Sequence, residues 1–142
     1  MIKVFVFALL ICLLASCGKR QSKNPLVGTW KMVYAETLEN DSLAIKDLTK
    51  AEFVKIINEN HFAFFNQQTD SENSFYGGGG TYTLNGNNYS ETLSYISVKN
   101  LRGHVFPFQI EFSGDTLIQS GIEKVEKANI NRKIIEKYIK IH

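Results

Sequence analysis

"FYGGGGTYTLNGNNYSETLSY", Phe75–Tyr95, decides the fold. Four glycines run into two stretches of alternating residues, and one of these carries Glu91 among tyrosines. A phosphate loop is excluded, because no Gly-Lys-Ser/Thr follows and the next residues suit a strand rather than a helix. A linker is excluded as well, since too little chain flanks the run for two separate cores. What remains is the start of a strand in which missing side chains permit a bend or bulge. Asn85-Gly86 supplies the positive backbone angle that a tight hairpin needs. With Asn85 to Asn88 as the turn, Leu84 faces Tyr89, Tyr82 faces Glu91 and Gly80 faces Leu93. Side chains alternate along a strand, so Tyr82, Leu84, Tyr89, Glu91, Leu93 and Tyr95 share one face. The other face is Thr81, Thr83, Ser90, Thr92 and Ser94, small and hydroxylic. The first face is therefore expected to point inward, taking a carboxylate with it.

The same texture extends in both directions. Short β-branched and aromatic stretches separated by Asn, Gly, Asp and Ser predict strands at 28–36, 52–58, 61–66, 79–84, 88–96, 103–112, 116–121 and 132–141. Eight strands in sequence order predict an all-β fold, an antiparallel up-and-down β-barrel. "FSGDTL" holds a second tight turn at Gly114-Asp115, which puts Phe106, Phe108, Ile110, Phe112, Leu117 and Gln119 on one face. Along the first strand the matching set is Trp30, Met32, Tyr34 and Glu36. The polar segment "TLENDSLAIKDLTKA", 37–51, has a weak helical pattern at Leu43, Ile45 and Leu48 and is expected to be a short helix or a long loop. In "EKVEKANINRKIIEKYIKIH" the isoleucines at 130, 134 and 141 suit a helix, but Ile135, Ile139 and Ile141 alternate. β-Branched density favours a closing strand from about Arg132.

The chain opens "MIKVFVFALLICLLASCGKRQSKNP", with a lysine, an apolar run too short to span a bilayer comfortably, and small residues ending at Cys17. This is the layout of a cleaved signal peptide, 1–16. Leu14-Ala15-Ser16-Cys17 resembles the lipobox of bacterial lipoproteins, which implies acylation of Cys17 by palmitate-like chains. More than one chain on a single residue gives a stable membrane anchor. Residues 17–25 then form a tether and 26–142 one barrel domain. The expected location is the cell envelope, at the outer membrane facing the periplasm, because no early aspartate follows Cys17. Cys12 leaves with the signal, so no disulfide or thiolate chemistry is expected. Sixteen basic against fourteen acidic residues are scattered along the chain. Nucleic acid is not an expected partner, since that needs a concentrated basic stripe.

At "LVGTWKMVYAE" the residues Gly28-Thr29-Trp30 resemble the Gly-x-Trp signature that opens lipocalins. Over "HFAFF", "GGGGTYTLNGNNYSETLSY", "FPFQIEFSGDTL" and "IEKYIKI" the chain resembles a family of lipocalin-like lipoproteins and secreted proteins of Gram-negative bacteria, itself of unknown function. That family commonly closes with Glu-x-Trp-x-Arg, where this chain has Glu136, Tyr138 and Lys140. The resemblance implies a basic side chain packed over the first-strand tryptophan, here Lys140 over Trp30. An eight-stranded interior is filled by side chains or holds one small molecule. The expected function is to bind a small apolar or amphipathic ligand, against Trp30, Tyr34, Tyr82, Tyr89, Glu91, Tyr95, Phe106, Phe108 and Gln119. The alternative is an envelope accessory protein with a filled core and a protein partner. His61, His104 and His142 have no metal-ligand spacing and no nucleophile elbow is present. No enzyme, cofactor or metal is expected.

Overall fold

The computed structural model describes residues 24–70 and 74–141; Cys17, the signal peptide and the tether up to residue 23 lie outside them. Nine strands follow one another: β1 (Gly28–Glu39), β2 (Ser42–Ile45), β3 (Ala51–Ile57), β4 (His61–Gln68), β5 (Phe75–Asn85), β6 (Asn88–Ile96), β7 (His104–Ser113), β8 (Thr116–Val125) and β9 (Ile130–Ile141). All pairings are antiparallel, and β9 returns to pair with β1. The result is a closed eight-stranded antiparallel β-barrel with β2 as an extra strand. No α-helix occurs among the described residues; two single 3-10 turns, Lys99–Leu101 and Glu126–Ala128, sit on connections. Closure leaves the eight barrel strands with paired edges, so backbone groups are satisfied around the ring.

The segment 37–51 differs from its expectation. It is neither a helix nor a long loop but a β-hairpin, in which β1 runs on to Glu39 and turns through Asn40 and Asp41 into β2. Both turn residues have positive φ, 49° and 60°, as a two-residue hairpin of the mirror-image type demands, and Asn and Asp tolerate that region. β3 pairs with β1 only over Gly28–Lys31; farther along, β2 takes that edge of β1.

The central hairpin has the register expected of it: Leu84 opposite Tyr89, Tyr82 opposite Glu91, Gly80 opposite Leu93. Gly86 (φ 59°) and Gly114 (φ 58°) begin the two tight turns. The glycine run lies inside β5, and the ladder slips between Gly79 and Gly80, so that Ser94 is an extra residue on β6. A Cβ on Gly80 would lie 1.9 Å from the Thr92 carbonyl oxygen, so the bulge needs a residue without a side chain.

Alternation gives the barrel two ends. The base is closed by the segment before β1: Leu26 is fully buried and its carbonyl accepts the Trp30 Nε1–H bond at 2.7 Å. Beside it, Asn24 Nδ2 donates to the Tyr82 hydroxyl (2.7 Å), which donates to the Asn58 carbonyl (2.6 Å). Lys140 lies with its ammonium 5.2 Å from the Trp30 ring centroid, the contact implied by the resemblance. The opposite end, between the β6–β7 and β8–β9 connections, stays open.

Candidate functional site

Just above the closed base the inward-facing side chains stop being uniformly apolar. β3 contributes Lys55 between Phe53 and Ile57, β6 contributes Glu91 between Tyr89 and Leu93, and β8 contributes Gln119 two residues after Leu117. All three polar residues are buried. Lys55 Nζ donates to Glu91 Oε1 at 2.5 Å and to Gln119 Oε1 at 2.9 Å, and the Tyr89 hydroxyl donates to the same Glu91 oxygen at 2.8 Å. Three rings surround the ammonium, Phe62, Tyr89 and Tyr138, with centroids 5.6 to 5.7 Å away. A lone buried ammonium costs several kcal/mol, so a carboxylate, an amide oxygen and three π-faces together are what make Lys55 tenable there.

A second carboxyl stands beside this pair. Glu136 on β9 is the direct neighbour of Gln119 on β8 and accepts a 2.6 Å hydrogen bond from the Tyr138 hydroxyl. Burial pushes the Glu136 carboxyl above its ordinary range; the Lys55 charge and the Tyr138 bond pull it back, and Glu123 and Glu91 push it up further. Burial, reinforced by the adjacent carboxylates, holds the hydroxyls of Tyr89 and Tyr138 well above the usual tyrosine range, so both remain donors. Nearer the mouth, Arg132 Nε donates to Glu123 Oε2 at 2.5 Å.

These groups line a half-enclosed cavity of about 250 Å³. Its apolar wall is formed by Phe53, Phe64, Leu93, Ile96, Phe106 and Phe108, its inner end by Lys55, Glu91, Gln119, Glu136 and Tyr138, and its rim by Tyr76, Glu123, Ile130 and Arg132. Phe106 and Phe108 stack nearly parallel at 6.2 Å on one side, and Phe53 and Phe64 at 5.5 Å on the other. Wider depressions of about 530 and 550 Å³ around Lys124 and Glu126 are lined mainly by residues of connections and strand ends. Among the described residues no cluster of three or more His, Cys, Asp or Glu is arranged around a metal.

Of the residues singled out from sequence, Glu91, Phe106, Phe108 and Gln119 line this cavity. Tyr89 lies buried beneath it and orients Glu91. Trp30 and Tyr82 point inward too, but belong to the closed base. Tyr34 and Tyr95 require correction. A bulge in β1 makes Val33 an extra residue, which turns Tyr34 and Glu36 outward, where they bond to each other and Tyr34 meets Lys137. Ser94 does the same on β6, leaving Tyr95 72% exposed and turning Ile96 inward instead. Each bulge reverses the two-residue alternation beyond it.

Lys55 is the principal residue that sequence reasoning passed over. It stands in "AEFVKIIN", where Val54 and Ile56 are as apolar as Phe53 and Ile57, so hydrophobicity does not say which set is inside. The usable signal was charge: Glu52 at the other parity pairs with Lys31 on the surface, and a buried Glu91 demands a cation from some inner position.

A family model described as "Domain of unknown function (DUF4488)" matches residues 25–142. No curated protein and no solved structure gives a significant match.

Proposed function

We propose, from the premise that this chain belongs to the DUF4488 family of domains of unknown function, that its barrel is a receptor for one small apolar or amphipathic molecule. The observation that carries this reading is the cavity: about 250 Å³, aromatic along its sides, polar at its inner end and open at one rim. Small-molecule sites have this composition, and the volume lies just under the usual range of roughly 300–1,000 Å³, which suits a compact ligand. The lipocalin resemblance of Gly28-Thr29-Trp30 and the Lys140–Trp30 contact are consistent with a carrier barrel. The Lys55–Glu91 pair is engaged by internal bonds to Gln119 and Tyr89, which favours recognition over proton transfer. The lipobox-like stretch ending at Cys17 supports an envelope protein held by lipid.

Native mass spectrometry of protein purified from its own host tests the reading. A co-purifying small molecule is expected with the wild type and not with Leu93→Trp, whose indole would fill the cavity; no bound species in either sinks it.

A second reading, an accessory protein that docks a partner, draws support from the β1–β2 hairpin. Leu38, Leu43 and Ile45 stand exposed there, and β2 has one unpaired edge.

A further inference from the structure

We propose that the cavity selects a ligand whose polar end donates hydrogen bonds, an amine in preference to an alcohol, that Glu136 receives that end, and that carboxylate-headed molecules are excluded. This rests on the interior being a binding site and adds which head group it takes.

Five charged side chains line the cavity: Lys55 and Arg132, and Glu91, Glu123 and Glu136. Both cations are already matched, Lys55 with Glu91 and Arg132 with Glu123, each at 2.5 Å. Lys55 also donates a hydrogen bond to Gln119 Oε1. The carboxyl left over is Glu136. Its Oε2 accepts from Tyr138, and its Oε1 makes no hydrogen bond among the described residues. The groups whose charge acts on Glu136 are Glu123 on the adjacent β8, Lys55 on β3 and Glu91 on β6, and Tyr76 senses Glu136 from β5.

An incoming carboxylate finds no free cation there. At Lys55 it would compete with Glu91 for a single ammonium charge, and it would be repelled by Glu91 and Glu136 as well. An incoming ammonium meets the open oxygen of Glu136 and brings the lining to three anions and three cations. An alcohol donates to that oxygen without adding charge, so it gains a hydrogen bond but no ion pair. Burial above all holds the Glu136 carboxyl above its ordinary range, and the Glu123 and Glu91 charges add to it, so an ammonium at its open oxygen favours the ionised form. Phe53, Phe64, Phe106 and Phe108 add π-faces that suit an aromatic body and favour cations. At ~30 Å³ per water-sized volume the cavity has room for roughly eight, which suits a body of about ten heavy atoms.

Calorimetry with three probes that share a phenyl body tests this: phenethylamine, phenethyl alcohol and phenylacetate, each against the intact domain at neutral pH. Phenethylamine is expected to bind about tenfold or more tighter than phenylacetate, with the alcohol between. In Glu136→Gln the amine is expected to lose about tenfold while the alcohol changes less than about threefold, a selective loss that a merely structural role does not produce. Should Glu136→Gln fail to fold, the order of the three probes on the wild type decides. Phenylacetate binding as tightly as the amine overturns the head-group assignment and leaves interior binding standing. Absence of heat from all three overturns interior binding together with it.

Discussion

Glu91 and Lys55 each make the other's burial tolerable, so neither is replaceable alone. Glu91→Gln leaves an ammonium in an aromatic cage with only neutral acceptors, and removing one partner of a buried pair costs about 3–5 kcal/mol. Urea denaturation of Glu91→Gln is therefore expected to show a loss of about 3 kcal/mol, and the double variant Lys55→Met/Glu91→Gln to recover at least half of it. A double variant as unstable as the single one would show that the pair is not the source of the cost. Asn66 is the opposite case: its side chain is fully buried, yet neither Oδ1 nor Nδ2 has a hydrogen-bond partner among the described residues. Asn66→Leu is expected to raise stability by about 1 kcal/mol, since an apolar group of similar size removes an unsatisfied amide. Glu136 contributes a pH-dependent share of the stability. Its carboxyl titrates above its ordinary value of 4.5 in the folded chain, so folding favours the protonated form. The stability it contributes is complete below that value and is lost as pH rises through the higher folded value. Glu136→Gln removes the titration, so its stability relative to wild type should climb from pH 4 toward neutrality, as pH-dependent melts can measure.

At the scale of elements, the two bulges set what the interior contains. They sit on β1 after Met32 and on β6 after Leu93, and each sends a tyrosine outside. The second depends on Gly80. Gly80→Ala drives a methyl into the Thr92 carbonyl oxygen and is expected to cost about 2–3 kcal/mol with loss of the local ladder. Gly86→Ala, in open space but at φ 59°, should cost only about 1–2 kcal/mol, through backbone conformation alone. Equal costs for the two would mean that the bulge does not rely on the missing side chain. The strand pattern itself was legible because turn residues punctuate it: all eight expected strands exist, with ends that differ by up to four residues. The hairpin at 37–51 was not, because Asn40-Asp41 lacks the glycine that usually flags such a turn and β2 is only four residues long.

For the whole molecule, the base is plugged from Asn24 onward and the cavity opens at the other end. Asn24 is seven positions on from Cys17, a reach of at most about 25 Å when fully extended. If Cys17 carries lipid, the base is the end nearer the bilayer and the mouth faces away from it. A fluorophore at Asn87, on a base turn, should then be quenched by nitroxide lipids in proteovesicles more than one at Asn100, on the rim. The reverse order would refute this orientation and would call for ligand entry from the membrane side.

Sequence by itself determined the class of fold, the strand order, the register of the central hairpin and the fact that one carboxylate faces inward. Those properties are local: alternation and turn chemistry act over a few residues, and an eight-strand meander has one simple way to close. Only the tertiary structure decided that Glu91 meets Lys55 and not a tyrosine alone, that Tyr34 and Tyr95 lie outside, and that Glu136 is the carboxyl left without a cation. Polar contacts across a barrel join residues 36 and 64 positions apart, as Lys55 is from Glu91 and Gln119. No local pattern encodes such a distance. The glycine run of Phe75–Tyr95 marks where a bulge is possible; the strands packed on either side of it decide which way the chain turns after it.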